Sequence, residues 1–151
     1  SSIQITREFN QLKNICAQLN IDQNQWGGRQ HYLRWSSPDT FINWEFAELD
    51  YDSTLAFPQT AGYRCGICYE FQVYDLKNRK QLNLRERPLI VMEVTILSHL
   101  YMNLSGMKAL NFMKNLKNQC RQFDGDFTLL WHNSNLINKN DIAMFRTILN
   151  H

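Results

Sequence analysis

The stretch Arg87-Pro88-Leu89-Ile90-Val91-Met92-Glu93-Val94-Thr95 is apolar almost without interruption after Pro88. A strand covered on both faces needs such a run, and strands of that kind sit in parallel sheets flanked by helices. A second β-prone run, Phe127-Thr128-Leu129-Leu130-Trp131-His132, stops at a histidine followed by the turn formers Asn133-Ser134-Asn135. Around these runs the spacing changes to that of helices. Ile5, Phe9, Leu12, Cys16 and Leu19 mark a first amphipathic helix leading into the break at Gly27-Gly28, and a short strand is expected through Tyr32 and Leu33. Ser37 as cap, Pro38 in the first turn and Asp39 near the positive dipole end start a second helix, with Phe41 and Trp44 on its buried face and its close near Ala47.

The same reading predicts a strand from Asp50 to Phe57, an irregular insertion over 58–83 with a short strand near 69–74, and the strand 87–95. Helices are expected at about 96–103 and 105–122. Met107, Leu110, Met113, Leu116 and Cys120 form the stripe of the longer one, its methionines serving as core filler. A last helix carries Ile142, Phe145 and Ile148 behind a cap at Asn140 or Asp141. Strands alternating with helices imply an α/β fold with parallel pairing and right-handed crossovers.

With 151 residues, 44% of them hydrophobic, the chain can bury a core, and a single domain is the simplest expectation. A net charge of +2, with basic and acidic residues interspersed, argues against a nucleic-acid partner. No apolar run is long enough to span a bilayer, and Ser1-Ser2-Ile3-Gln4 does not resemble a signal peptide, so a cytoplasmic protein is expected. The four cysteines are too few for the disulfide framework of a small secreted domain. Cys65-Gly66-Ile67-Cys68 precedes an alternating, strand-like stretch instead of opening a helix, which disfavours a redox pair; a zinc ribbon would need a second pair.

Two segments carry chemistry. An imidazole at the carboxyl end of a buried strand stands where α/β sheets bind ligands, which makes His132 a candidate for proton transfer near neutral pH. Arg29-Gln30-His31-Tyr32-Leu33-Arg34-Trp35 crowds arginines, a histidine and aromatics behind two glycines.

Taken in order, the stretches RQHYLR at 29–34, YDSTL at 51–55, GYRCG-C at 62–68 and LLWHN at 129–133 resemble the later motifs of the polysaccharide deacetylase family. These are metal-dependent carbohydrate esterases with the nodulation-protein-B homology fold, and the likeness is closest to a bacterial surface-polysaccharide branch. It spans roughly residues 25–135. The resemblance implies a partial or distorted (β/α) barrel, of which this chain would be the carboxyl-terminal part, and removal of an acetyl group from a sugar.

In that family an aspartate and two histidines hold a metal, most often zinc, and a second aspartate is the base. The T-F-D-D-like tetrad and the H-x-x-x-H pair that supply them do not occur in this sequence, so a divalent metal is expected only if upstream motifs exist, and none for this chain alone. Arg29 matches the arginine that orients the base, and His31 stands where the family usually has proline. His132 matches the general acid, and Leu130 the lining of the pocket for the acetyl methyl. Asp52 lies on the motif resembling the family's fourth, as does Asp50, but the aspartate that tunes the histidine falls nearer Leu55; Glu93 is the carboxylate that could take over. Trp35, Tyr63 and Trp131 are candidate sugar platforms, while Trp26, Trp44 and Phe112 belong to the core. Arg34 and Arg64 could reach an anionic sugar. Two rivals are a catalytically silent carbohydrate-binding domain of the same fold and a thiol redox module on Cys65 and Cys68.

Overall fold

The computed structural model describes residues 2–151, a mixed α/β chain with parallel strands and helices. They fall into two compact units. One comprises the described residues up to Leu55 together with Glu70–Arg87, the other Ala56–Tyr69 together with Pro88–His151.

The first unit contains α1 (Ser2–Gln18), β1 (Gly27–Gly28), α2 (Asp39–Phe46), β2 (Tyr51–Asp52), β3 (Phe71–Asp75) and β4 (Lys80–Glu86). Its sheet runs β1-β2-β4-β3. The first three strands are parallel, and β3 returns antiparallel to β4. The register places Gly28, Asp52 and Glu86 in one row at the carboxyl ends of the three parallel strands. Gly27 is required where β1 meets β2, because a Cβ there would collide with the carbonyl oxygen and ring of Tyr51. Phe41 and Trp44, one turn apart on α2, pack on Val73, Leu82 and Leu84. Along β4 burial alternates, so that Leu82, Leu84 and Glu86 share the inner face.

Several local expectations change here. The strand expected at Tyr32 and Leu33 is a 3₁₀ turn over His31–Leu33, with both residues at positive φ, and pairing occurs earlier, at the glycines. Helix α2 starts at Asp39 with Pro38, not Ser37, in the cap position, and no side chain caps it. Pairing of Tyr51–Asp52 stops well short of Phe57. Of the expected insertion over 58–83, the short strand near 69–74 is present as β3, but the segment also opens β4, a central strand. Its polar run is a hairpin in which Asp75 accepts the backbone N–H groups of Lys77 (2.9 Å) and Asn78 (3.0 Å), while Arg79 takes the positive φ of the turn. Turn polarity hid the strand that follows.

The second unit contains β5 (Val91–Met92), α3 (Glu93–Leu97), α4 (Gly106–Gln122), β6 (Leu129–Leu130) and α5 (Lys139–Leu149). The two strands are parallel, Val91 opposite Leu129 and Met92 opposite Leu130. Ile90, Val91, Ile96, Met113, Cys120 and Ile148 lie in its core. The apolar run 87–95 is therefore buried as expected but is mostly not strand, because α3 begins at Glu93. On α4 the buried stripe is Ala109, Met113, Leu116 and Cys120, with Met107 exposed. Helix α5 is capped by Asn138, whose Oδ1 accepts the N–H of Asp141 at 2.8 Å, so neither Asn140 nor Asp141 is the cap. The glycines of the Cys65 loop serve backbone geometry: Gly62 and Gly66 lie at φ +139° and +73°. Among the described residues no helix is long and apolar enough to cross a membrane.

Candidate functional site

In the second unit the strand-end histidine meets a carboxylate. Strand β5 delivers Glu93 and β6 delivers His132, each just beyond its paired residues. Glu93 is wholly buried at the first turn of α3, while the His132 side chain is 44% exposed. Glu93 Oε1 accepts the His132 backbone N–H at 2.9 Å, its Nδ1–H at 2.7 Å and the Asn135 amide at 2.8 Å. Glu93 Oε2 has no donor among the described residues. A carboxylate accepting from Nδ1 fixes the ring's orientation and leaves Nε2 to act as acid or base. The backbone bond and the Asn135 amide hold the acceptor in place even when the ring turns. Asn135 closes the 3₁₀ turn over Asn133–Asn135 that follows His132.

In the first unit the row of strand ends gathers a different set. Asp52 and Glu86 are register partners, both wholly buried, with side chains within hydrogen-bonding range of each other. Asp52 Oδ1 accepts from Thr54 Oγ1 at 2.5 Å, and Thr54 Oγ1 in turn accepts the Gln30 N–H at 3.0 Å. Glu86 Oε1 accepts the Leu55 N–H at 3.1 Å. Burial pushes the Glu86 carboxyl up to about 9, reinforced by the charge of Asp52. Burial also raises Asp52, against the bond from Thr54. Arg29 follows β1 directly; burial lowers its pKa, opposed by Tyr51, Asp52 and Glu86, and the guanidinium stays a cation.

The remaining predicted residues are placed as follows. Leu130 is half-buried on β6 beside Met92. Trp131 packs against the second unit's core, edge to face with Phe145 at 5.3 Å. Tyr63 lies against the same core, its hydroxyl donating to the Leu116 carbonyl at 2.9 Å. Arg64 is exposed and donates to the Ala56 carbonyl at 2.7 Å. In the first unit Trp35 packs edge to face on Phe41, and His31 is exposed, its ring 4.2 Å from that of Tyr32. Asp50 is committed to structure, accepting the Trp26 N–H at 2.6 Å. Cys65 and Cys68 are not joined in a disulfide, and Cys68 is buried against Gly125.

Sequence reasoning missed Glu86, Thr54 and Asn135. Glu86 was detectable, since in Lys80–Glu86 every second residue from Leu82 faces inward and the series ends on an acid. Asn135 carried no signal beyond turn propensity. Among the described residues no three His, Cys, Asp or Glu side chains converge on a metal position, so the residues present do not fit the family's metal. Compared with family models, with curated proteins and with solved structures, the chain matches none.

Proposed function

We propose that this chain is part of a polysaccharide deacetylase-like hydrolase that removes an acetyl group from a sugar in the making of a bacterial surface glycan, on a partial (β/α) barrel of that family's type. One observation supports it above the others: a strand-end imidazole held through Nδ1 by a buried carboxylate, with the ring partly exposed. That is the arrangement needed to protonate a departing amine. When the C–N bond of an acetamide breaks, nitrogen takes the electron pair and a proton, and His132 Nε2–H is the donor this chain offers. The resulting neutral ring remains aligned by Glu93, ready to take back a proton from solvent. Activation of water and of the carbonyl lies outside this reading, because the described residues form no metal site.

The test uses the full-length protein carrying this chain and N-acetylglucosamine oligosaccharides, with released acetate as the readout. Acetate release that is lost in His132→Ala supports the reading. Oligosaccharide binding without acetate release points instead to a carbohydrate-binding domain, and neither binding nor release overturns both.

A further inference from the structure

The first unit holds a pair of acids that the general-acid chemistry does not use. Asp52 and Glu86 face each other across neighbouring parallel strands, and neither reaches water. Each has one satisfied oxygen, Oδ1 by Thr54 and Oε1 by the Leu55 N–H. Each has one oxygen, Oδ2 and Oε2, with no N–H or O–H donor among the described residues. Two buried carboxylates at this separation cannot both be ionised without a large cost, whereas one proton between them satisfies both orphaned oxygens.

We propose that Asp52 and Glu86 share a single proton, and that Glu86, so protonated, is the positioning residue that holds Asp52 and presents Arg29 with one negative charge instead of two. Its raised pKa, driven by burial, agrees with this arrangement. The chain Gln30 N–H to Thr54 Oγ1 to Asp52 Oδ1 ties the backbone beside Arg29 to the same pair. The other charged groups nearby are engaged elsewhere. Glu45 on α2 accepts the N–H groups of Asn83 and Leu84, Glu70 pairs with Arg85 and Arg87, Asp75 caps its hairpin, and the Tyr51 ring lies under Arg87, leaving Arg29 as the charged group facing the pair. The positioning role rests on the deacetylase reading; the shared proton does not.

The sign of the pH effect follows from linkage. A glutamate that titrates near 4.3 unfolded, by the usual value of roughly 4.3, and at about 9 folded keeps its proton in the native state across that interval. The native protein then binds the extra proton, so the pair's stabilisation is full at acid pH and declines as pH rises toward about 9. In Glu86→Gln the amide N–H donates permanently to Asp52 Oδ2 while the amide oxygen keeps the Leu55 N–H. The variant should melt close to the native protein near pH 5 and gain on it steadily as pH rises to about 9, the native chain's folded value. Glu86→Leu, which strands the Leu55 N–H and leaves Asp52 Oδ2 without a donor, should melt lower by roughly 5 °C or more near pH 5.

A melting difference between native and Glu86→Gln that stays flat over this range overturns the shared proton. So does the absence, in the infrared spectrum of the native protein in D₂O at neutral pD, of a protonated carboxyl stretch that Glu86→Gln removes; this second readout stands even if the variant folds poorly. In acetate release, Glu86→Gln should flatten the alkaline limb of the native profile, and an unchanged limb overturns the positioning role. A native protein that releases no acetate fails the deacetylase reading and with it the positioning role, while the melting and infrared results decide the shared proton by themselves.

Discussion

A single oxygen of Glu93 accepts both the backbone N–H and the Nδ1–H of His132, at 2.9 and 2.7 Å, and a third donor, the Asn135 amide, at 2.8 Å. Because the backbone bond and the Asn135 amide fix the acceptor, a ring that swings loses its Nδ1–H bond while Glu93 stays in place. The other carboxylate oxygen is left without a donor in a wholly buried position. Such concentration of donors on one oxygen aligns a side chain at the expense of stability elsewhere.

His132→Ala removes an exposed ring and leaves Glu93 with two of its three donors. Acetate release by the full-length protein should fall by about 10²–10⁴-fold. The melting temperature should move little. Steady-state rates and thermal unfolding on the same preparations check both statements; a variant that unfolds would assign the histidine to structure.

Replacements of Glu93 should separate charge from packing. In Glu93→Gln the amide oxygen can occupy the three-donor position and the amide nitrogen the orphaned one, so the fold should persist while the rate drops. Glu93→Ala strands the donors of His132 and Asn135 and should cost on the order of 3 kcal/mol in denaturant unfolding. Nitrogen chemical shifts of the His132 ring should report loss of the fixed Nδ1–H form in the alanine variant.

Gly27→Ala puts a methyl group into the carbonyl oxygen and ring of Tyr51, on the strand pair that delivers Arg29. Backbone cannot yield as a flexible side chain does, so a destabilisation of about 1–3 kcal/mol is expected. Gly28→Ala meets only the Trp44 ring, at 3.7 Å, and should be tolerated far better. Chemical denaturation of the two variants side by side is the check.

Cys120 should resist alkylation in the folded protein. It is wholly buried, and burial pushes its thiol up to about 11. Since the thiolate is the nucleophile, iodoacetamide at pH 8 should label Cys16 in the native chain and Cys120 only after unfolding. The linked stabilisation is present below the unfolded value and is lost as pH rises through about 11. Peptide mass spectrometry after timed labelling decides it.

The sequence by itself determined the parts of this protein that depend on local pattern. Helical spacing marked α1, α2, α4 and α5, and the apolar runs marked buried segments around β5 and β6, because amphipathic periodicity is set by one helix or strand at a time. The carboxyl-end position of His132 and the partnership open to Glu93 were legible from the same pattern: His132 ends one apolar run, and Glu93 is the carboxylate near the end of the other. Beyond the short strand near 69–74, present as β3, tertiary structure alone decided the strands and the acid pair. The strands are only two residues long at β1, β2, β5 and β6, and such short pairings are chosen by their neighbours, not by propensity. Strand β4 opens inside a polar run, and its alternation of Leu82, Leu84 and Glu86 becomes a central strand only when β2 and β3 bind its two edges. Glu86 faces Asp52 only because β2 and β4 are parallel and in register, and neither the direction nor the register of pairing is encoded within either segment.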